Sequence, residues 1–184
     1  MLILGLTGTF ASGKGDAGKY LEKKGFTYYS CSDELRKELK KTGIDETREN
    51  LLGKGDELRS KFGRGILGKR IYEQILNDNK KLVVVDSLRN LEEVNELKKN
   101  KDFKLIFIDA PVEERYKRTV LRKRDSDNVS FEEFKEKEQK EIKGSNTLVK
   151  TEDCFKNADF KIYNDGSIEE LHKKIDEILE ELQP

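Results

Sequence analysis

Histidine occurs once in these 184 residues, at His172, and cysteine only at Cys31 and Cys154. A single histidine in an amphipathic, lysine-rich stretch leaves no Ser/His or Cys/His nucleophilic triad. Two unclustered thiols support neither a disulfide framework nor a structural metal site. Long apolar runs are missing as well. The longest, around "LILGLT" at 2–7, is far shorter than the ~20 residues that cross a bilayer. Net charge is absent, because lysine plus arginine and aspartate plus glutamate both total 37. No overall field therefore draws the chain to nucleic acid or to an anionic membrane. No secretory leader pattern opens it, since the first strand begins at Leu2. The expectation is a cytoplasmic protein with no nucleic-acid and no membrane partner. Two prolines and one methionine, beside abundant lysine and glutamate, are compatible with a thermophile.

What remains is 34% apolar and 40% charged. The apolar residues come in blocks, so the chain folds, and its length suits one domain over 1–184. Residues 2–7, 26–30, 82–87, 104–109 and 160–164 read as strands, rich in β-branched and aromatic residues. The middle three are apolar almost throughout, as strands covered on both faces are. Helical patterns fill the gaps: 13–24, 33–41 capped by Ser32, a helix from Thr47 to about 62, 64–77 and 91–99. Ser130 with Glu133, and Ser167 with Glu170, have capping-box spacing. Alternating strands and helices predict an α/β fold with a parallel sheet between helical layers. Residues 31–80 form a helical insert, and "RKRDSDNVS" at 122–130 is the most loop-like stretch.

"GTFASGKG", Gly8 to Gly15, fits G-x-x-x-x-G-K between a strand and a helix. Gly8 and Gly13 permit backbone torsions closed to other residues. The amides of Thr9, Phe10, Ala11, Ser12 and Gly13 then converge on an anion at a helix N-terminus. Lys14 reaches the outer phosphates. Gly15 stands where most such loops carry a Mg²⁺-binding hydroxyl, and Asp16 follows it. Three roles are open to Asp16: repelling the inner phosphates, binding Mg²⁺ or its water shell, or simply favouring the first helical turn. "NKKL" at 79–82 lacks the aspartate of a guanine-reading motif, which argues against a GTPase.

Further motifs follow in order: "SDELR", "RGILGKRI", "VVVDSLRN", the arginine-rich "ERYKRTVLRKRDSD" and "NDGSIEEL". With "GTFASGKG", they make the whole chain, roughly 2–182, resemble the adenylate-kinase-like nucleoside monophosphate kinases and the dephospho-CoA-kinase-like P-loop proteins of archaeal type. In the monophosphate kinases glycine normally follows the loop lysine. Gly15 is then ordinary and Asp16, where threonine is usual, is the departure.

The resemblance implies a three-layer P-loop NTPase fold with a five-stranded parallel sheet in the order 2-3-1-4-5. It makes 31–80 an acceptor-binding insert and 115–142 a short lid. It implies ATP and Mg²⁺, small-molecule nucleotide substrates, and a monomer or homodimer. Asp86, at the carboxyl end of a strand, takes the place of the Mg²⁺-holding acid. Arg36 and Arg89 contact the acceptor. Arg64, flanked by Gly63 and Gly65 at a break between helices, is favoured over Arg59 and Arg70 as a further acceptor contact. Asp33 is either a helix-capping acid or, as in dephospho-CoA kinases, the base that takes a hydroxyl proton. Arg115, Arg118 and Arg122 share one helical face. Of these, Arg118 and Arg122 join Lys14 and Arg89 as the expected catalytic residues. Planar guanidiniums suit the charge that spreads over a phosphoryl group in transfer. The expected activity is ATP-dependent phosphoryl transfer to a nucleoside or deoxynucleoside monophosphate; the alternatives are a dephospho-CoA kinase and, with Asp16 as its support, a nucleotide-binding regulatory protein with weak or no transfer. Acceptor chemistry separates the two kinases. A monophosphate needs positioning and neutralisation, whereas a sugar hydroxyl needs a base.

Overall fold

The computed structural model describes residues 1–121, 129–144 and 148–182. Five parallel strands form one sheet: β1 (Leu2–Gly8), β2 (Thr27–Ser30), β3 (Leu82–Leu88), β4 (Phe103–Asp109) and β5 (Phe160–Tyr163). Their order is β2-β3-β1-β4-β5, as the resemblance implied. Leu4 pairs with Val84 on one side of β1 and with Lys104 on the other.

The period-two alternation of side chains divides the core into two layers. Ile3, Val83, Val85 and Leu105 face one side with Leu67, Ile71 and Ile75 of α4 (Ile66–Asp78) and Val94 and Leu97 of α5 (Leu91–Leu97). Leu4, Leu6, Val84, Ile106 and Ile108 face the other with Leu21 of α1 (Lys14–Lys23) and Leu171, Ile175 and Ile178 of α9 (Ile168–Glu181). Strands apolar on consecutive positions are thus sandwiched between helices.

The insert holds three helices, α2 (Cys31–Lys41), α3 (Arg48–Phe62) and α4. The cap of α2 differs from expectation. Ser30 at the end of β2, not Ser32, accepts the amide of Asp33 at 3.4 Å. The strand runs straight into the helix, so the last strand residue has the extended backbone an N-cap requires. Thr47 caps α3, and both capping boxes form, on α7 (Phe131–Lys143) and on α9. The helix α6 (Val112–Leu121) precedes α7, and the short helix α8 (Thr151–Lys156) had no counterpart in the sequence reading. His172 stacks on Tyr20 of α1 at 3.8 Å between ring centroids. No helix among the described residues is long and apolar enough to cross a membrane.

Candidate active site

The sheet's order reverses beside β1, where a ligand crevice opens at the carboxyl ends of the strands. The turn from β1 into α1 builds its floor. Gly8 has φ 137° and Gly13 has φ 104°. A Cβ on Gly8 would lie 1.9 Å from the Ile108 carbonyl oxygen, so the loop presses directly on β4. At Gly13 it would lie 2.4 Å from Asn164 Nδ2, which donates at 2.8 Å to the carbonyl of Ser12. Thr9 Oγ1 donates to Asp109 Oδ1 at 2.6 Å. The loop is therefore fastened to β4 and to the segment after β5. Ser12 Oγ is buried and has no partner among the described residues. A loop of this shape, with an orphaned hydroxyl and a helix N-terminus beyond it, fits a nucleotide's phosphates.

Lys14 Nζ donates to the carbonyls of Gly8 at 3.1 Å and Thr9 at 2.5 Å. The residue is half-buried, but its ammonium sits among protein atoms. That desolvation lowers its pKa to about 8. Asp86 opposes the shift and Arg89 adds to it. Gly15 is exposed, and a Cβ there would meet nothing within 4 Å. Neither space nor backbone geometry demands glycine at that position. Asp16 is exposed in the first turn of α1 and lines the cleft.

The cleft measures about 840 Å³ and runs from the loop into the insert. Asp86 is 6% exposed. It accepts the Tyr28 hydroxyl at 2.8 Å and the Ser87 amide at 2.5 Å. Burial, then the Asp86 charge, pushes the Tyr28 phenol far up, so it stays a donor. One such carboxylate beside a phosphate loop suits Mg²⁺, which is held by one or two acids plus phosphate oxygens. No cluster of three metal-ligating acids, histidines or cysteines occurs among the described residues.

Asp33 and Arg36 line the cleft and bond each other at 2.6 Å, and Arg36 also approaches Glu46 at 3.4 Å. Arg89 lines it too and donates to Glu141 of α7. Arg64 does not reach the cleft. It pairs with Glu92 at 3.3 Å and donates to the Leu148 carbonyl at 3.2 Å. Arg59 lines the cleft but is held by Glu93 through two hydrogen bonds, 3.0 and 2.8 Å.

The expected lid face divides. Arg115 is buried and grips Glu138 of α7 with two nitrogens, while its Nε donates to Ala110 at 2.7 Å. It braces the fold instead of facing the cleft. Arg118 donates to the carbonyls of Asn164 at 3.0 Å and Ser12 at 3.4 Å, which places it beside the phosphate loop. Arg122 and Arg124 lie outside the described residues.

Sequence reasoning missed Arg48, Glu138, Glu141 and Asp109. Arg48 opens α3, and its guanidinium lies 3.9 Å from the centroid of Phe10 in the loop. It bonds Glu141 at 2.5 Å. Burial pushes the Glu141 carboxyl up, but Arg89 and Arg48 outweigh it and hold the group below its ordinary value. A signal for the glutamates does exist. Phe134, Glu138 and Glu141 repeat at i, i+4 and i+7, which puts two acids on the buried face of α7.

A phosphate loop on this sheet, with an acid at the end of β3 and arginines across the cleft, defines a P-loop kinase-like protein. The family model described as an AAA domain matches residues 7–135, and the chain belongs to that P-loop family. Over its full length it is similar to a UPF0200 protein of Methanocaldococcus jannaschii, 32% identical across 99% of this chain and 91% of that one. It is 34% identical to a UPF0200/UPF0201 protein of Archaeoglobus fulgidus across 97% of its own length, spanning 55% of that relative. Solved structures share the fold. Shikimate kinase from Acinetobacter baumannii, in complex with shikimate, superposes with a TM-score of 0.62 at 20% identity, over 98% of this chain and 94% of that one. Dephospho-CoA kinase from Campylobacter jejuni gives 0.55 at 20%, over 98% and 97%.

Proposed function

We propose that the chain transfers the γ-phosphoryl group of ATP to a nucleoside or deoxynucleoside monophosphate. One observation supports this above the rest. Lys14 stands where the phosphate loop opens into a single cleft, with Asp86 on one wall and acceptor-side arginines beyond. Gly8 to Gly13 cradle the donor's phosphates, and Lys14 neutralises the outer ones. Asp86, oriented by Tyr28, would hold Mg²⁺, which would supply charge stabilisation for the transferring group. Arg89 faces the acceptor, and Arg118 lies against the loop on the donor side. Catalysis on this plan is positioning and electrostatics, because a monophosphate oxygen is already ionised near neutral pH.

A coupled assay over a panel of monophosphates, dephospho-CoA and shikimate tests the reading. Turnover with at least one monophosphate is expected. Protein that binds ATP but turns over none of them refutes it. Asp33 lines the cleft, which supports a second reading, transfer to a hydroxyl with Asp33 as base. Loss of Asp33 then abolishes activity, where a monophosphate kinase is only weakened.

A further inference from the structure

The cleft's charges are not evenly spread. Arg36 stands between two carboxylates, Asp33 at 2.6 Å and Glu46 at 3.4 Å, and all three line the cleft. That end carries surplus negative charge. Arg48 and Arg89 also line the cleft but share one carboxylate, Glu141. Guanidiniums do not lose their protons, so this end carries surplus positive charge. An entering anion is repelled from Arg36 and drawn towards Arg48 and Arg89.

The geometry of the pair suits an oxyanion with two or more acceptor oxygens. Arg48 comes from the start of α3 and Arg89 from the segment after β3, so they approach from separate elements. The Glu141 side chain is 8% exposed and is not part of the cleft wall, so it takes one N–H from each arginine from behind. The Phe10 ring lies 3.9 Å from the Arg48 guanidinium carbon and sets its plane. Arg48 Nε is buried and has no partner among the described residues. Arg89 and Glu141 both act on the Lys14 charge, so the Arg89 side of the pair stands near the loop lysine.

We infer that the acceptor's anionic group seats between Arg48 and Arg89, not on Arg36, and that Glu141 of α7 is the positioning residue that holds the seat. The inference rests on the phosphotransferase reading and assigns the acceptor's orientation within it. The ligand class is a small molecule with an oxyanion, phosphate monoester or carboxylate, at one end. Its other end carries neutral donors such as hydroxyls, which Asp33 and Glu46 accept. The acceptor site is incomplete without α7.

The test fills the donor site with Mg²⁺ and a non-hydrolysable ATP analogue, so that an added anion cannot occupy the phosphate loop. Inorganic phosphate and acetate are then titrated against ¹⁵N-arginine-labelled protein. Saturable shifts of the Arg48 and Arg89 Nε–H signals are expected. Arg48→Met weakens the anion about tenfold to a hundredfold, the loss of a charge-assisted contact, while ATP-analogue affinity holds. Arg48→Lys, which keeps the charge without the fork, falls between. Response to phosphate alone identifies a phosphate-bearing acceptor, and equal response to acetate a carboxylate-bearing one. No shift with either anion overturns the seat. Glu141→Gln is expected to weaken phosphate and raise the acceptor KM with the ATP KM unchanged, and binding equal to or above wild type overturns its positioning role. The two layers fail separately. A seat that binds phosphate in a protein that transfers to no monophosphate overturns only the function. Transfer with an unchanged acceptor KM in Arg48→Met overturns only the seat.

Discussion

Lys14 donates to the carbonyl of Thr9 at 2.5 Å, so the lysine folds back on the loop that carries it. Its pKa is down to about 8, against an ordinary 10.5, chiefly through desolvation. A bound phosphate favours the charged form. Nucleotide affinity should therefore be highest near pH 7, where Lys14 is charged and the terminal phosphate is ionised, and fall as pH rises through 8, by up to about tenfold per unit. Calorimetric titration of ADP across pH checks this. Lys14→Met should bind weakly with no pH slope over that window, and Lys14→Arg should bind without the alkaline fall.

Glu141 joins α7 to the cleft through two arginines. Its carboxyl is held below its ordinary 4.5 by Arg89 and Arg48 against the effect of burial. The folded pKa is the lower one, so its stabilisation is complete above about pH 5 and is lost as pH falls through the folded value. Glu141→Gln strands two guanidiniums. The expected cost at neutral pH is towards the lower end of about 3–5 kcal/mol, since both arginines keep some contact with water. Urea midpoints at several pH values measure it. The wild type should lose its advantage over the variant on acidification.

Two glycines in the loop should respond in opposite ways. Gly8→Ala sets a methyl 1.9 Å from the Ile108 carbonyl oxygen at φ 137°. Backbone must move, and a loss above about 4 kcal/mol is expected. Gly15→Ser meets nothing within 4 Å and has no positive φ. Its stability should stay within about 0.5 kcal/mol of wild type. Thermal melts of the two variants separate these outcomes.

Asp86 already accepts two donors, from Tyr28 and Ser87. In the proposed role its charge, not its hydrogen bonds, couples Mg²⁺ to the nucleotide. Asp86→Asn should leave Mg²⁺-free ADP affinity near wild type and abolish the gain that Mg²⁺ brings. Paired titrations with Mg²⁺ and with a chelator read the difference. An Asp86→Asn protein that keeps the full gain places the metal elsewhere.

The sheet was legible in the sequence because its signals are local. Consecutive apolar residues in 82–85 read as a strand covered on both faces, and the two-layer core bears this out for Val83, Val84 and Val85, while Leu82 at the strand's start is exposed. Capping at Ser130 and Ser167 was legible for the same reason: each box closes within four residues. Ser32 was misassigned because the cap depends on where β2 ends, and that is set by its pairing with β3, whose last partners are Ser30 and Asp86. The short α8 carries too few residues for a periodic signal.

By itself the sequence determined the phosphate loop, the parallel sheet and the acid at the end of β3, since spacing and alternation dictate all three. The tertiary structure decided which arginines remain for chemistry. Arg115, Arg118, Arg59 and Arg64 carry the same charge and read alike along the chain. Packing gives Arg115 to Glu138 and Arg59 to Glu93, turns Arg64 away from the cleft and brings Arg48 to it. A guanidinium's role depends on whether a carboxylate from a distant element meets it, and only the folded chain settles those meetings.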